Sequence, residues 1–269
     1  MKDTGLGASV HVSQFGEGPR QVLALHCTLA QGGAWKGVAR GLDRVVTMTA
    51  FDLPGHGRSV DWDGQGDYLD RTARLGAGLI GAPMDLVGHS FGAVAALRIA
   101  LTHPDRVRSL TLIEPVLMCA ARGSVALADH DAMAAPVFAM LEAGDPEAAA
   151  RLFNAMWADA GATPWEDLPA AARAGMIRAI PVVRATGTTL VDDSLGFLEP
   201  GTLEGLTCPV QLIRGSETHP VIGVINDVLA ARLPEAENKI IAGAGHMVPI
   251  THAAQTATEI RAFFDRYPA

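Results

Sequence analysis

Cysteine is scarce: 269 residues hold three, Cys27, Cys119 and Cys208, far apart and in no C-x-x-C pair. That spacing offers neither a disulfide framework nor a zinc site, so a reduced, cytoplasmic setting is expected. No run approaches the roughly 18 uncharged apolar residues that a membrane-spanning helix needs. Residues 1–7 (MKDTGLG) lack the apolar core of a secretory leader. Basic runs are also missing and the net charge is −8, which argues against nucleic acid and anionic membranes as partners. There is no Walker A loop, no H-E-x-x-H helix and no ligand cluster, so no metal and no cofactor are expected. The chain is 49% hydrophobic, which excludes a disordered segment. A chain of this length buries roughly 70–75% of its unfolded surface and needs no staples.

Hydrophobic periodicity divides the chain. Residues 21–26 (QVLALH), 45–51 (VVTMTAF), 84–88 (MDLVG) and 107–113 (VRSLTLI) are short, apolar and rich in Val, Leu and Ile. Such runs fit strands buried on both faces, as in parallel sheets. Helical spacing occupies 72–80 and 91–102 between them, and 10–15 alternates like an edge strand. The alternation predicts an α/β fold: a mostly parallel central sheet flanked by helices. From 116 to 203 no strand pattern occurs. Ala-rich helices are expected at 146–160 and 169–180, with Asp145 and Thr163 as caps. Strand, helix, strand and helix then follow at 209–214, 221–233, 238–242 and 253–266. The predicted organisation is core at 1–115, an inserted helical cap at 116–203, and core again at 204–269.

One pentapeptide carries chemistry. Gly88-His89-Ser90-Phe91-Gly92 matches G-x-S-x-G and stands between an apolar strand and a helix. In that setting the serine occupies a strained turn above the sheet, with glycines where a Cβ would clash. The plainer alternative is a serine capping the next helix. Residues 76–81 also match G-x-G-x-x-G, but they end a helix instead of following a strand, which does not make a dinucleotide site.

Three further segments complete a resemblance. Asp52-Leu53-Pro54-Gly55-His56-Gly57-Arg58-Ser59 is similar to the D-x-P-G-x-G-x-S turn of the α/β-hydrolase superfamily. Gly243-Ala244-Gly245-His246 is similar to its histidine-bearing segment, and His26-Cys27-Thr28 stands where that family has His-Gly-x. The four motifs occur in the family's order and cover the chain from about residue 10 to the end, outside the insertion. The resemblance implies the serine-nucleophile branch of that fold, with a cap.

A serine hydroxyl needs a base within reach. Of nine histidines, His246 follows a late strand through a glycine turn, with His252 and His219 its competitors. The acid departs from the family pattern, because Thr218 stands at the usual aspartate position. Two readings remain open: Glu114, at the end of strand 107–113, or Glu217, one residue from the family's place. Glu114 is preferred because its strand opens onto the serine's crevice. The oxyanion hole is expected from the amide of Phe91 and one from Cys27-Thr28, and the resemblance implies Thr28. Met118, Phe153, Met156 and Trp157 are the expected substrate walls, while Met133, Phe138, Met140 and Trp165 add apolar surface to the insertion. The expected activity is hydrolysis of carboxylic esters or related acyl compounds, small molecules, through an acyl-enzyme. Two alternatives stand beside it: a carbon–carbon hydrolase of a diketone-type substrate, and a non-catalytic small-molecule-binding protein on the same fold.

Overall fold

The computed structural model describes residues 2, 3 and 9–268. Most of the N-terminal heptapeptide read as carrying no leader therefore lies outside the described residues. A two-stranded antiparallel ribbon, β1 (Lys2–Asp3) with β2 (Ser9–Val10), precedes the main sheet. That sheet contains β3 (Val12–Phe15), β4 (Arg20–Leu25), β5 (Val46–Phe51), β6 (Met84–His89), β7 (Val107–Ile113), β8 (Val210–Gly215) and β9 (Ala236–Ile241). Its order is β3-β5-β4-β6-β7-β8-β9, with β3 antiparallel and every other pairing parallel. The chain winds outward from β4 to β5, then returns to place β6 on the other side of β4. Strand order thus reverses between β4 and β6, and a crevice opens at their carboxyl ends.

The continuous apolar runs are explained by two covered faces. On β4, Val22 and Ala24 pack with Trp35, Val38, Ile260 and Phe263, while Leu23 and Leu25 face Leu69, Phe91 and Leu97. The helices Lys36–Gly41 and Ala253–Arg266 cover the first face. Tyr68–Ala77, Phe91–Thr102 and Pro220–Arg232 cover the second. Each buried Leu, Ile, Val or Phe contributes about 1.5–3 kcal/mol relative to exposure.

Between β7 and β8 the described residues form only helices and turns, chiefly Val125–Glu142, Pro146–Met156 and Ala170–Ala179. They hold a small core of their own, with Val137, Ala149, Ala150, Trp165 and Ile180. Arg178 anchors this segment to the main body, donating to Gly57 O at 2.9 Å and Ser59 O at 2.7 Å.

Several expected boundaries shift. The helix expected at 72–80 starts at Tyr68, because the Asp67 side chain accepts from the Asp70 amide and caps it earlier. The helix expected to reach 160 stops at Met156. Asp145 caps as expected, by accepting from the Ala148 amide at 2.9 Å. Thr163 does not cap; Pro164 precedes only a short turn, Trp165–Asp167. Among the described residues no helix is long and apolar enough to cross a membrane.

A buried charge cluster locks the lower end of the sheet. Asp85, fully buried on β6, accepts from Arg20 Nε at 2.6 Å and Nη2 at 2.7 Å, and also from Arg108 and Ser109. Arg20 Nη1 reaches on to the carbonyls of Phe264 and Tyr267 and fixes the last helix. Asp85→Ala would strand Arg20 without its counter-ion. It is expected to cost about 3–5 kcal/mol, read as a lower urea midpoint with unchanged slope. A wild-type midpoint would contradict this role.

Candidate active site

At the end of β6 the backbone turns sharply into the helix Phe91–Thr102, with Ser90 at φ 56° and ψ −119°. This left-handed region disfavours a non-glycine residue and costs about 1–3 kcal/mol. Sterics around the turn maintain it. A Cβ on Gly88 would collide with the Gly92 carbonyl, and one on Gly92 with the carbonyls of Leu25 and His26. The Ser90 hydroxyl makes no helix-capping bond. The simple N-cap alternative therefore fails, and the hydroxyl is free to serve elsewhere.

Adjacent strands bring up the acid. The Ser90 amide donates to Ile113 O and the Glu114 amide to Ile213 O, both at 2.8 Å. Each residue thus sits one step past the ladder, and Glu114 also has positive φ, 53°. His246 reaches both from the turn after β9. Its Nδ1 lies 2.9 Å from Glu114 Oε2 and its Nε2 3.0 Å from Ser90 Oγ. A carboxylate facing Nδ1 requires the proton there, so Nε2 is left to accept from the serine.

Of the two carboxylates left open, the structure brings Glu114 to His246. Glu217 is exposed and accepts from the neighbouring Ser216 hydroxyl at 3.0 Å instead. Thr218, at the family's aspartate position, donates its hydroxyl to Glu114 Oε2, and the Gly215 amide donates to Oε1 at 2.6 Å. The competing histidines are occupied elsewhere. His219 Nδ1 accepts from the Val221 amide at 3.2 Å, and His252 Nδ1 pairs with the Thr251 hydroxyl at 3.0 Å.

The loop after β4 is held from below. His26 Nε2 accepts from the Leu53 amide, His56 Nε2 from the Leu29 amide and Asp52 Oδ1 from the Gly32 amide. The D-x-P-G turn therefore moulds the segment containing Thr28. Phe91 opens its helix, so its N–H has no carbonyl one turn back.

Above these groups lies a cavity of about 110 Å³ that Thr28 and Ser90 line together with Met118, Phe153, Met156 and Trp157. The Trp157 ring stacks 4.1 Å from that of His246. His130, Ala134, Val137 and Phe138 add a wall from one helix, and Asp131 also lines the cavity. Their i, i+4, i+7, i+8 spacing was a legible stripe that the sequence reading did not use. Of the other apolar residues noted in the insertion, Trp165 and Met140 pack inside it and Met133 is exposed.

The sequence pattern of the alpha/beta hydrolase family matches residues 22–259. The chain belongs to that family. It is 29% identical over 268 residues to a pimeloyl-[acyl-carrier protein] methyl ester esterase of Methylococcus capsulatus, covering 94% of this chain and 97% of that one. A similarly named esterase of Nitrosomonas europaea is 36% identical over 39% of this chain and 41% of its own. Lipase LipV of Mycobacterium tuberculosis is 35% identical over 56% of each chain. The chain thus spans about half the length of the last two relatives. Among solved structures, Cfl2 of Burkholderia cenocepacia has the same fold, with a TM-score of 0.76 and 23% identity over 97% of this chain and 94% of that one.

Within this hydrolase fold Ser90, His246 and Glu114 are buried, and the site's ionisation follows. Burial lowers His246 to about 3, with Asp159 pulling upward and His130 downward. Burial lowers His89 to about 3 and His56 to about 4, and holds His26 well below the ordinary histidine value. Burial raises Glu114, while the hydrogen bonds from Thr218 and Gly215 favour its carboxylate form. In the His246–Glu114 pair, desolvation keeps the imidazole neutral and ready to accept a proton. Burial also raises the Cys27 thiol to about 12, leaving it inert beside Thr28.

These four deeply buried histidines set an acid limit. Their unfolded forms bind protons near pH 6.5 and their folded forms do not. Their stabilisation is therefore complete above 6.5 and is lost as pH falls toward about 4 and 3. Each contributes up to about 1.4 kcal/mol per pH unit. Glu114, raised by burial, acts in the opposite sense, but one group is outweighed by four below pH 6. The urea midpoint should fall steeply from pH 6.5 to 5, and a flat profile would contradict neutral burial.

Proposed function

We propose that the chain is a serine hydrolase of carboxylic esters or related acyl compounds. The observation that carries this reading is the unbroken hydrogen-bonded line from Ser90 through His246 to Glu114. Ser90 Oγ attacks the acyl carbonyl while His246 Nε2 takes its proton. Glu114 holds the imidazole in the Nδ1–H form and offsets the charge it gains. The oxyanion develops against the amides of Phe91 and Thr28. His246 then returns the proton to the leaving alkoxide, and an acyl-Ser90 ester remains. Water repeats the sequence, releasing the acid and restoring the serine.

The segment 116–203 is the proposed cap, dividing the core into 1–115 and 204–269. Met118, Phe153, Met156 and Trp157 are its proposed contribution to the substrate walls, together with the apolar helix face at Ala134, Val137 and Phe138. A mainly apolar cavity with few polar groups suits a small, uncharged acyl chain. The relatives named as a methyl ester esterase and a lipase support the ester class.

Turnover of para-nitrophenyl acetate tests the reading. Wild type should hydrolyse it and Ser90→Ala should not. Glu114→Gln should lower kcat by about 10³–10⁴-fold, because an amide no longer fixes the imidazole tautomer. Glu217→Gln should stay within about twofold, as expected of an exposed side chain clear of the site. An inert wild type would overturn the activity, and the reverse pattern in the two glutamates would overturn the acid.

A further inference from the structure

His246 is gripped from two directions. The Nε2–H of His89, inside the serine turn, donates to the His246 carbonyl at 2.9 Å. From the opposite side comes Asp159, two residues past Trp157 in the helical segment between β7 and β8. Its Oδ1 accepts from the Met247 amide at 3.0 Å. Its Oδ2 accepts from the Gly245 amide at 3.3 Å and the Thr251 hydroxyl at 2.7 Å. One carboxylate therefore binds the amides on both sides of His246.

The fit depends on the residue at 245. A Cβ there would lie 2.5 Å from Asp159 Oδ1, so the glycine allows this approach. Hydrogen bonds to a charged acceptor are worth about 1.5–3 kcal/mol, about twice neutral ones. Asp159 is also an anion close to an imidazole that must become positive during reaction, and its charge favours that form against burial. Arg178 fixes the same helical segment elsewhere, and Trp157 covers the imidazole ring, so Asp159 is the part of its docking that binds the backbone on either side of the histidine.

We propose that Asp159 is a positioning residue for His246, through which seating of the helical segment aligns the base with Ser90. The inference rests on the serine-hydrolase reading. Displacing the segment breaks three hydrogen bonds around the histidine, and the Nε2-to-Oγ contact loosens with them. Access to the cavity and readiness of the base are thereby linked in one movement.

The test combines fluorophosphonate labelling of Ser90 with para-nitrophenyl acetate kinetics. Asp159→Asn should react with the phosphonate about 10–100-fold more slowly than wild type, the scale of a small misplacement of a reacting group. On the ester, kcat should fall by a similar factor with KM within about twofold, since Asp159 does not line the cavity. A role confined to closing the cavity would raise KM instead. Gly245→Ala should slow the wild type but add nothing in an Asp159→Ala background, because the atom it strikes is gone. Should the Asp159 variants fail to fold, Gly245→Ala and Thr251→Val read the same contact, and wild-type rates in both would overturn the proposal. Labelled wild type with an indifferent Asp159→Asn, or multiplicative effects of Gly245→Ala and Asp159→Ala, overturns this inference alone. Wild type that the phosphonate leaves unlabelled overturns the hydrolase reading as well.

Discussion

The backbone of Ser90 is held in a conformation that an isolated chain would avoid, and the site is assembled around that hold. Gly88 and Gly92 allow the carbonyls of β4 and of the following helix to close on the turn. The buried helix Phe91–Thr102 then anchors it, with residues such as Phe91, Leu97 and Ile99 almost wholly covered. Burying a few such side chains, at about 1.5–3 kcal/mol each, easily offsets the strain of about 1–3 kcal/mol. The adjacent strand repeats the arrangement, since Glu114 also has positive φ and is tied by its amide to the next strand. Parallel register therefore delivers serine and carboxylate side by side.

The histidine needs a different kind of support, because it stands on a turn and not on a strand. His89 fixes its carbonyl, Asp159 binds the neighbouring amides and Trp157 covers its ring. These contacts come from the sheet and from the helical segment alike. Besides His89 under His246, neutral burial of His26 and His56 holds the loop that contains Thr28, since each of these two donates from one ring nitrogen and accepts at the other. Charging either of these two would replace an accepting nitrogen with a donor and break this pattern.

Much of this was legible in the sequence. The sheet's strands could be read because burial on both faces makes them continuous apolar runs. The serine turn could be read because its glycines are demanded by sterics. Helix starts were less clear: Asp67 carried a capping signal with Asp70 three residues on, but the apolar spacing alone pointed to a later start. The acid stayed open between Glu114 and Glu217, since 132 residues of chain separate Glu114 from its histidine and only the strand order decides the contact. Thr218 looked like a departure at the acid's place, whereas its hydroxyl donates to the displaced carboxylate. Asp159 gave no signal, because its partners are two backbone amides and a hydroxyl about ninety residues onward.

The most direct test of the central claim is a crystal structure of the chain after reaction with a fluorophosphonate. Phosphorus should be bonded to Ser90 Oγ, with its oxygen about 2.7–3.1 Å from the amides of Phe91 and Thr28, and His246 still joined to Glu114. Phosphorus on another side chain, or His246 paired with Glu217, would contradict the account.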